Sequence, residues 1–194
     1  MILPLTGNND HLGQPIRELI QYRVAHFPKD SRFEYKVCFE DDQLQAKQSL
    51  LAAQRLVGWE NVDVLLTYFS GPGSVVSYYA TQKKVPHLMW NFNLSSSDGV
   101  YNFTHLSLPA NAARCWTDYA QKLGYKKVAF LVHRNPGALA VQKALRDYKP
   151  NAKLEWADET FFNPGERDFR IILWRIREKT QNYCISMPLT RRCR

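Results

Sequence analysis

Cysteine is scarce in this 194-residue chain and falls in no metal-binding pattern. The four cysteines, Cys38, Cys115, Cys184 and Cys193, form no C-x-x-C pair and no cysteine–histidine cluster. Structural zinc sites are built from such closely spaced ligands. The sequence therefore argues against a metal site.

Long apolar runs are also missing. No stretch approaches the roughly 20 residues that a membrane-spanning helix needs, and the opening residues MILPL predict a strand and not a secretory leader. With 45% hydrophobic and 23% charged residues, the composition is that of a folded protein and not of a disordered one. The sequence predicts a folded protein with no membrane span.

Most signatures of nucleotide and hydrolytic enzymes are absent. There is no G-x-x-x-x-G-K-[ST] phosphate loop and no G-x-S-x-G elbow. Gly71, Gly73 and Val76 give G-x-G-x-x-V, which lacks the third glycine of the dinucleotide fingerprint. An α/β enzyme that uses a nucleotide at Ser70–Ser74 stays open as an alternative.

Acidic residues are outnumbered, 18 against 26 Lys and Arg, which gives a formal charge of +8. The basic residues are scattered along the predicted helices, apart from a short group at the C-terminal end. This distribution is typical of a solvated basic surface, and it predicts no nucleic-acid partner.

Strand and helix patterns alternate along the chain. The predicted strands are Ile2–Leu5, Phe33–Phe39, Val62–Thr67, Pro86–Trp90, Lys127–Val132, Lys153–Ala157 and Tyr183–Met187, with apolar residues at helical spacing between them. Such alternation predicts an α/β fold with parallel sheets and right-handed crossovers. The stretch YNFTHLSLPANA lacks periodicity and indicates a connection, so we expect two lobes, 1–107 and 108–194.

Ligands of open parallel sheets bind beyond the carboxyl ends of the strands. The loops predicted there include Thr6–Gly13, Ser70–Ser74, Asn91–Gly99 and His133–Gly137. Hydroxyl, amide and glycine groups dominate the second and third, and they suit the carboxylate and ammonium of a zwitterion. Of the five dispersed histidines, His11 and His133 fall on such loops and are the two with a possible ligand role.

Five segments resemble one family in the same order. They are ILPLTGNNDHLGQPIRELIQ, VCFEDDQLQAKQSLLAAQRLV, VDVLLTYFSGPGSVVSYYATQKKVPHL, KLGYKKVAFLV and ETFFNPGERDFRIILWRI. Together they resemble the periplasmic ligand-binding proteins of the branched-chain amino-acid (Leu/Ile/Val) type, the substrate-binding subunits of ABC importers. The chain looks like a truncated member.

The resemblance implies a type I periplasmic-binding-protein fold, with two doubly wound parallel-sheet lobes of which the second is incomplete. It implies capture of a small amino acid, or a related carboxylate or amide, in an interlobe cleft, without enzymatic chemistry, cofactor or metal. The implied partner is the membrane permease of an ABC importer, and the implied location is the periplasm. A ligand-sensing receptor for an amide or urea-type ligand is the alternative within the same fold.

The resemblance also assigns ligand-binding residues. The loop after the third predicted strand implies Ser70 and the backbone of Gly71, and the loop after the fourth implies Asn93 and Ser95. The loop after the first strand implies a contact near His11 or Leu12. All of these are expectations about one rim of the first lobe.

Overall fold

A computed structural model describes residues 1–28, 33–148, 153–163, 165–180 and 184–186. The chain divides into two compact units, Met1–Leu106 (unit 1) and Ser107–Arg194 (unit 2). Strands and helices alternate in both units, which confirms the predicted α/β class.

Unit 1 is built on a five-stranded sheet in which every neighbouring pair is parallel, in the order β2-β1-β3-β4-β5. Its strands are β1 (Ile2–Leu3), β2 (Glu40–Asp41), β3 (Leu65–Tyr68), β4 (His87–Trp90) and β5 (Asn102–Thr104). Its helices are α1 (Asp10–Ala25), α2 (Ala46–Gly58) and α3 (Ser70–Lys83), with short 3-10 turns at Gly7–Asn9 and Leu94–Ser96.

The two faces of this sheet carry separate apolar clusters. On one face, Leu65 packs with Leu56 of α2 and Val76 of α3. On the other face, Leu3 is packed by Ile16 and other residues of α1. Successive strand residues point to opposite faces, so helices are needed on both sides of the sheet.

One predicted strand of unit 1 is misplaced. The strand predicted at Phe33–Phe39 forms later, at Glu40–Asp41, where the amides of Glu40 and Asp42 donate to the carbonyls of Met1 and Leu3. β1 pairs with β2 over two residues, Ile2 with Glu40 and Leu3 with Asp41, and the Met1 amino group donates to the carbonyl of Cys38 at 2.5 Å just before this pairing begins.

The stretch predicted as an unstructured connection contains strand β5. Asn102–Thr104 lies parallel to β4, with His87 opposite Asn102 and Leu88 opposite Phe103. The Asp98 carboxylate accepts hydrogen bonds from the amides of Val100, Tyr101 and Asn102 and so directs the chain into this pairing. The described part of unit 1 therefore has five strands where four were expected.

Two predicted loops of unit 1 contain helix. Ser70–Ser74 is the first turn of α3, and His11 and Leu12 lie in the first turn of α1. Pro72 is compatible with this because a proline in the first turn lacks only an N–H that has no partner inside the helix.

Unit 2 has a three-stranded parallel sheet in the order β7-β6-β8. Its strands are β6 (Lys127–His133), β7 (Glu155–Phe162) and β8 (Cys184–Ser186), and its helices are α4 (Pro109–Lys122), α5 (Pro136–Tyr148) and α6 (Arg170–Thr180). β6 is central, and its residues from Val128 to Val132 are all buried. The predicted strand ends Tyr183 and Met187 lie outside the described residues.

Candidate ligand-binding site

The carboxyl ends of β1, β3 and β4 meet at one edge of the unit 1 sheet. These strands are adjacent and parallel. The segments that follow them therefore emerge side by side, at the position where open α/β sheets bind ligands. Each residue assigned from the sequence lies on one of these three segments.

Residues Ser70–Ser74, here called the α3 turn, follow β3 with a single intervening residue. Phe69 takes a φ of 77° and reverses the chain between the strand and the helix. The amide of Gly73 donates to the carbonyl of Phe69 at 3.1 Å, which closes the first turn of the helix. The amides before it point out of the helix start, where the helix dipole favours a negative charge.

Two hydroxyls of the α3 turn are held by the segment after β4. The Ser70 Oγ accepts a hydrogen bond from the amide of Phe92 at 3.2 Å. One helical turn later, the Ser74 Oγ accepts from Asn93 Nδ2 at 3.1 Å and from the Ser96 hydroxyl at 2.8 Å. Since each serine hydroxyl also carries one hydrogen, both can still donate to a ligand. The pair is suited to the oxygens of a carboxylate.

Asn93 supports this arrangement from the β4 side. Its Oδ1 accepts from the amide of Ser95 at 3.3 Å and from the Ser95 hydroxyl at 2.8 Å, while its Nδ2 donates to Ser74. Asn91, which is fully buried, accepts from the Asn93 amide at 2.6 Å. The polar atoms of Asn93 are thus engaged in holding the loop, and the exposed Ser95 hydroxyl keeps lone pairs that can accept a hydrogen bond.

His11 and Leu12 lie at the start of α1, near the end of β1. His11 is exposed, and its hydrogen bond and ion pair both involve Asp10. Gly13 lets the helix approach the strand closely, because a Cβ there would overlap the carbonyl of Pro4. The described contacts bring Ser70, Ser74, Asn93 and Ser95 together, and those of His11 remain within α1.

Asp41, the last residue of β2, lies at this edge of the sheet, where the sequence places the loop Asp41–Leu44 without giving Asp41 a ligand-binding role. Its carboxylate accepts from the amides of Leu5 at 2.7 Å and Gln43 at 3.0 Å, and from the Thr6 hydroxyl. Burial alone would raise the pKa of Asp41, but the hydrogen bonds from Thr6, Gln43 and Leu5 outweigh burial and lower it. An acid at the end of a short strand is the signal that could have pointed to this role.

The same edge of the unit 2 sheet carries aromatic and basic groups. His133, at the end of β6, stacks on Phe162 with ring centroids 5.0 Å apart, and its Nδ1 accepts from Asn135 Nδ2 at 2.5 Å. Burial lowers the pKa of His133. The Arg134 guanidinium lies over the Phe161 ring at 5.2 Å. These groups are suited to a flat or anionic solute.

The described residues contain neither a cluster of metal-binding side chains nor a membrane-spanning helix. No group of three or more His, Cys, Asp or Glu side chains in this part of the chain could hold a metal ion. None of the helices described there has the length and apolar character needed to cross a membrane.

The fold is shared with solved solute-binding proteins of ABC transporters. One is from R. palustris in complex with 4-hydroxybenzoate (19% identity, TM-score 0.85, covering 96% of this chain and 52% of that one). Another is the leucine-binding protein LivK from Thermotoga maritima (19% identity, TM-score 0.81, 91% and 52% covered). A third is the branched-chain amino-acid binding protein LivJ from Streptococcus pneumoniae in complex with isoleucine (19% identity, TM-score 0.80, 92% and 53% covered).

This chain therefore spans about half the length of these structures. No curated protein matches it significantly. A family model described as periplasmic binding protein matches residues 1–188, nearly the whole sequence. With that match and the shared type I periplasmic-binding-protein fold, the chain belongs to the periplasmic binding protein family.

Proposed function

We propose that this protein is the solute-binding component of an ABC importer and that unit 1 binds the carboxylate of a small solute at the α3 turn. The observation that carries the proposal is the pair of hydroxyls at Ser70 and Ser74. Both accept hydrogen bonds from the segment after β4, so both are oriented and both keep a hydrogen to donate. Donors that converge at a helix start favour an anion.

The solutes of the related structures support a carboxylate as the recognised group. The solutes bound in these complexes include 4-hydroxybenzoate, 3,4-dihydroxybenzoic acid and isoleucine. These molecules differ in their side groups but share one carboxylate. A site that recognises this common group needs donors of the kind that Ser70, Ser74 and the Gly71 amide supply.

An amino acid is the solute that the β4 segment favours. The Ser95 hydroxyl donates to Asn93, so its remaining lone pairs face outward as acceptors for an ammonium group. Asn93 holds Ser95 and Ser74 at once and links the two halves of the zwitterion site. His11 and Leu12 are proposed to border the site from the start of α1.

The proposal includes binding without chemical conversion, in the periplasm, followed by delivery to a membrane permease. Family membership supports each of these steps, because solute-binding subunits carry cargo and leave its bonds unchanged. A small amino acid such as leucine or isoleucine is the proposed cargo.

Isothermal titration calorimetry of the 194-residue chain tests the proposal with matched ligands. L-isoleucine is compared with L-isoleucinamide, and 4-hydroxybenzoate with 4-hydroxybenzamide, so that each pair differs in the carboxylate alone. We expect at least one acid to bind saturably and its amide to bind at least about tenfold more weakly, the cost of one charge-assisted hydrogen bond. Equal affinity for an acid and its amide, or saturable binding of ATP or NAD without a response to either acid, would contradict the proposal.

A further inference from the structure

A chain of hydrogen-bonded polar side chains runs through unit 1 from an exposed acid to a strand residue close to the α3 turn. It consists of the exposed Asp98 and the buried Asn102, His87 and Thr67, and it is called here the polar chain. His87 is fully buried, with its Nδ1 2.9 Å from Asn102 Oδ1 and its Nε2 2.8 Å from Thr67 Oγ1. Asn102 Nδ2 in turn donates to Asp98 Oδ2 at 2.7 Å. The chain thus connects β5, β4 and β3.

The contacts of Asn102 determine the direction of each hydrogen bond in the polar chain. Asn102 Nδ2 donates to the carbonyl of Ser77 at 3.1 Å, so its Oδ1 is the atom that faces His87. An amide oxygen only accepts, and therefore the imidazole hydrogen lies on Nδ1. Burial lowers the pKa of His87 to about 4, so the ring is neutral and Nε2 accepts from the Thr67 hydroxyl.

The α3 turn rests on the last member of this chain. Gly73 is buried, and a Cβ built on it would lie 3.1 Å from Asn91 Nδ2, 3.3 Å from Thr67 Oγ1 and 3.4 Å from Met89 Sδ. The Thr67 hydroxyl is therefore close both to His87 Nε2, at 2.8 Å, and to the helix backbone at Gly73. The helix turn that carries Ser70 and Ser74 passes next to this side chain.

We propose that Thr67, held by His87, is a positioning residue that sets the height of the α3 turn above the sheet. This inference rests on the proposed carboxylate site and explains how that site keeps its geometry. The hydroxyl is essential because it allows a 2.8 Å approach to His87 Nε2. A methyl group in its place needs roughly 3.5 Å from the ring nitrogen and pushes toward Gly73 instead.

Three variants of the full 194-residue chain separate positioning from general stability. Thr67→Val removes the hydroxyl at nearly constant shape, and Thr67→Ser restores it. Thr81→Val is the matched control, because it also removes a threonine hydroxyl but at the Asp98 end of the polar chain. There the Thr81 hydroxyl donates to Asp98 at 2.7 Å and accepts from Asn102 at 2.7 Å. Circular dichroism establishes that each variant is folded.

Two measurements are made on each variant. Without ligand, ¹H–¹⁵N spectra record the amide resonances of Ser70, Gly71 and Gly73, and ¹⁵N shifts of the imidazole report the His87 tautomer. With ligand, L-isoleucine and 4-hydroxybenzoate are titrated by calorimetry. We expect Thr67→Val to displace the three amide resonances and to lower the affinity for the acid that binds by about tenfold. We expect the affinities of Thr67→Ser and Thr81→Val to stay within about twofold of that of the unmodified chain.

The two proposals fail in different ways. Unchanged amide resonances of the α3 turn in folded Thr67→Val would overturn the positioning role, whatever the affinity. Equal loss of affinity in Thr81→Val would also overturn it, since stability alone would then explain the effect. If Thr67→Val displaces the resonances and the unmodified chain binds neither acid, the carboxylate site is wrong and the positioning of the turn stands.

Discussion

Phe69 determines where the α3 turn begins. Its φ of 77° lies in the left-handed region, which costs a non-glycine residue about 1–3 kcal/mol. The Phe69 ring packs edge-on against Tyr68 with centroids 4.8 Å apart, a contact that helps to hold this conformation. Strain of this kind is common where a strand must present the first amides of a helix directly at its end.

Replacing Ser70 with alanine tests the carboxylate site at a single residue. The change removes one donor to the ligand and the acceptor for the Phe92 amide. We expect the affinity for the acid that binds to fall by roughly 1–3 kcal/mol, because the lost hydrogen bond is charge-assisted. We expect unfolding to become easier by about 1 kcal/mol or less, since Ser70 is half-buried.

Ser97→Ala is the matched control for this measurement. The Ser97 hydroxyl lies in the segment after β4 and donates to the carbonyl of Asn102 at 2.8 Å, away from the α3 turn. We expect the Ser97→Ala variant to lose a similar amount of stability and to keep its affinity for the acid. Affinity that survives Ser70→Ala while the melting temperature falls would mean that Ser70 acts as a structural residue alone.

His87 makes the stability of unit 1 depend on pH. Burial lowers the folded pKa of His87 to about 4 from 6.5, although Asn102 and the Asp98 charge oppose the shift. The unfolded state therefore binds more protons between these values, and stability falls as the pH is lowered through this window. We expect a loss of about 2 kcal/mol between pH 7 and pH 5, and urea unfolding at the two pH values measures it.

A His87→Gln variant is the control for the pH effect. It should be less stable at neutral pH but should lose much less stability between pH 7 and pH 5. His133 has a lowered pKa from partial burial and contributes with the same sign, so His133→Gln measures its share. A pH dependence that is the same in His87→Gln and in the unmodified chain would show that His87 is not its source.

At the level of elements, apolar periodicity was enough to predict the longer helices and the strands β3, β4 and β6. It failed at β5 and β2, which have three and two residues and are determined by pairing and by the Asp98 carboxylate. The start of α3 was missed for another reason. Gly71, Pro72 and Gly73 are typical of a loop, and the helix forms there because Gly73 fits closely against neighbouring strands.

The candidate site was predictable to a similar degree. Hydroxyl and amide residues after two strands pointed to Ser70, Asn93 and Ser95. The sequence could not show that the Asn93 side chain is hydrogen-bonded to Ser74 and Ser95, because these contacts depend on how the α3 turn and the segment after β4 lie against each other. The assignments of ligand-binding residues remain predictions.

Two glycines of the α3 turn are expected to respond oppositely to alanine. At Gly73 a Cβ would press on buried Asn91, Thr67 and Met89, so we expect Gly73→Ala to destabilise the chain by about 1–2 kcal/mol. At Gly71 a Cβ would meet nothing within 4 Å, and alanine there should add about 0.5 kcal/mol through its higher helix propensity. Thermal unfolding of both variants gives the comparison, and equal effects would contradict the close fit at Gly73.

At the level of the whole molecule, one face of the unit 1 sheet is only partly covered. Leu88, Trp90 and Phe103 are 43%, 41% and 40% exposed, and Leu88 and Phe103 are register partners on neighbouring strands. Adjacent apolar side chains on a sheet face promote association between molecules.

A Leu88→Thr/Phe103→Thr double variant tests this face. Threonine retains a preference for strands, so we expect the fold to persist and self-association of the 194-residue chain to decrease. Sedimentation velocity over a range of concentrations measures the change. Trp59→Gln serves as the control, because Trp59 is 77% exposed at the end of α2, away from this face, and its replacement should leave association as it was. Equal behaviour of the two variants would rule out the sheet face as the cause.

The fit between Gly73 and Thr67 also restricts how the sequence can change during evolution. An alanine at position 73 is expected to be tolerated best after positions 91 and 67 have acquired smaller side chains, because its Cβ would lie 3.1 Å from Asn91 Nδ2 and 3.3 Å from Thr67 Oγ1. The order of substitutions therefore matters, and position 73 should covary with positions 67 and 91 among homologues. Relatives that combine alanine at position 73 with asparagine at 91 and threonine at 67 should be rare.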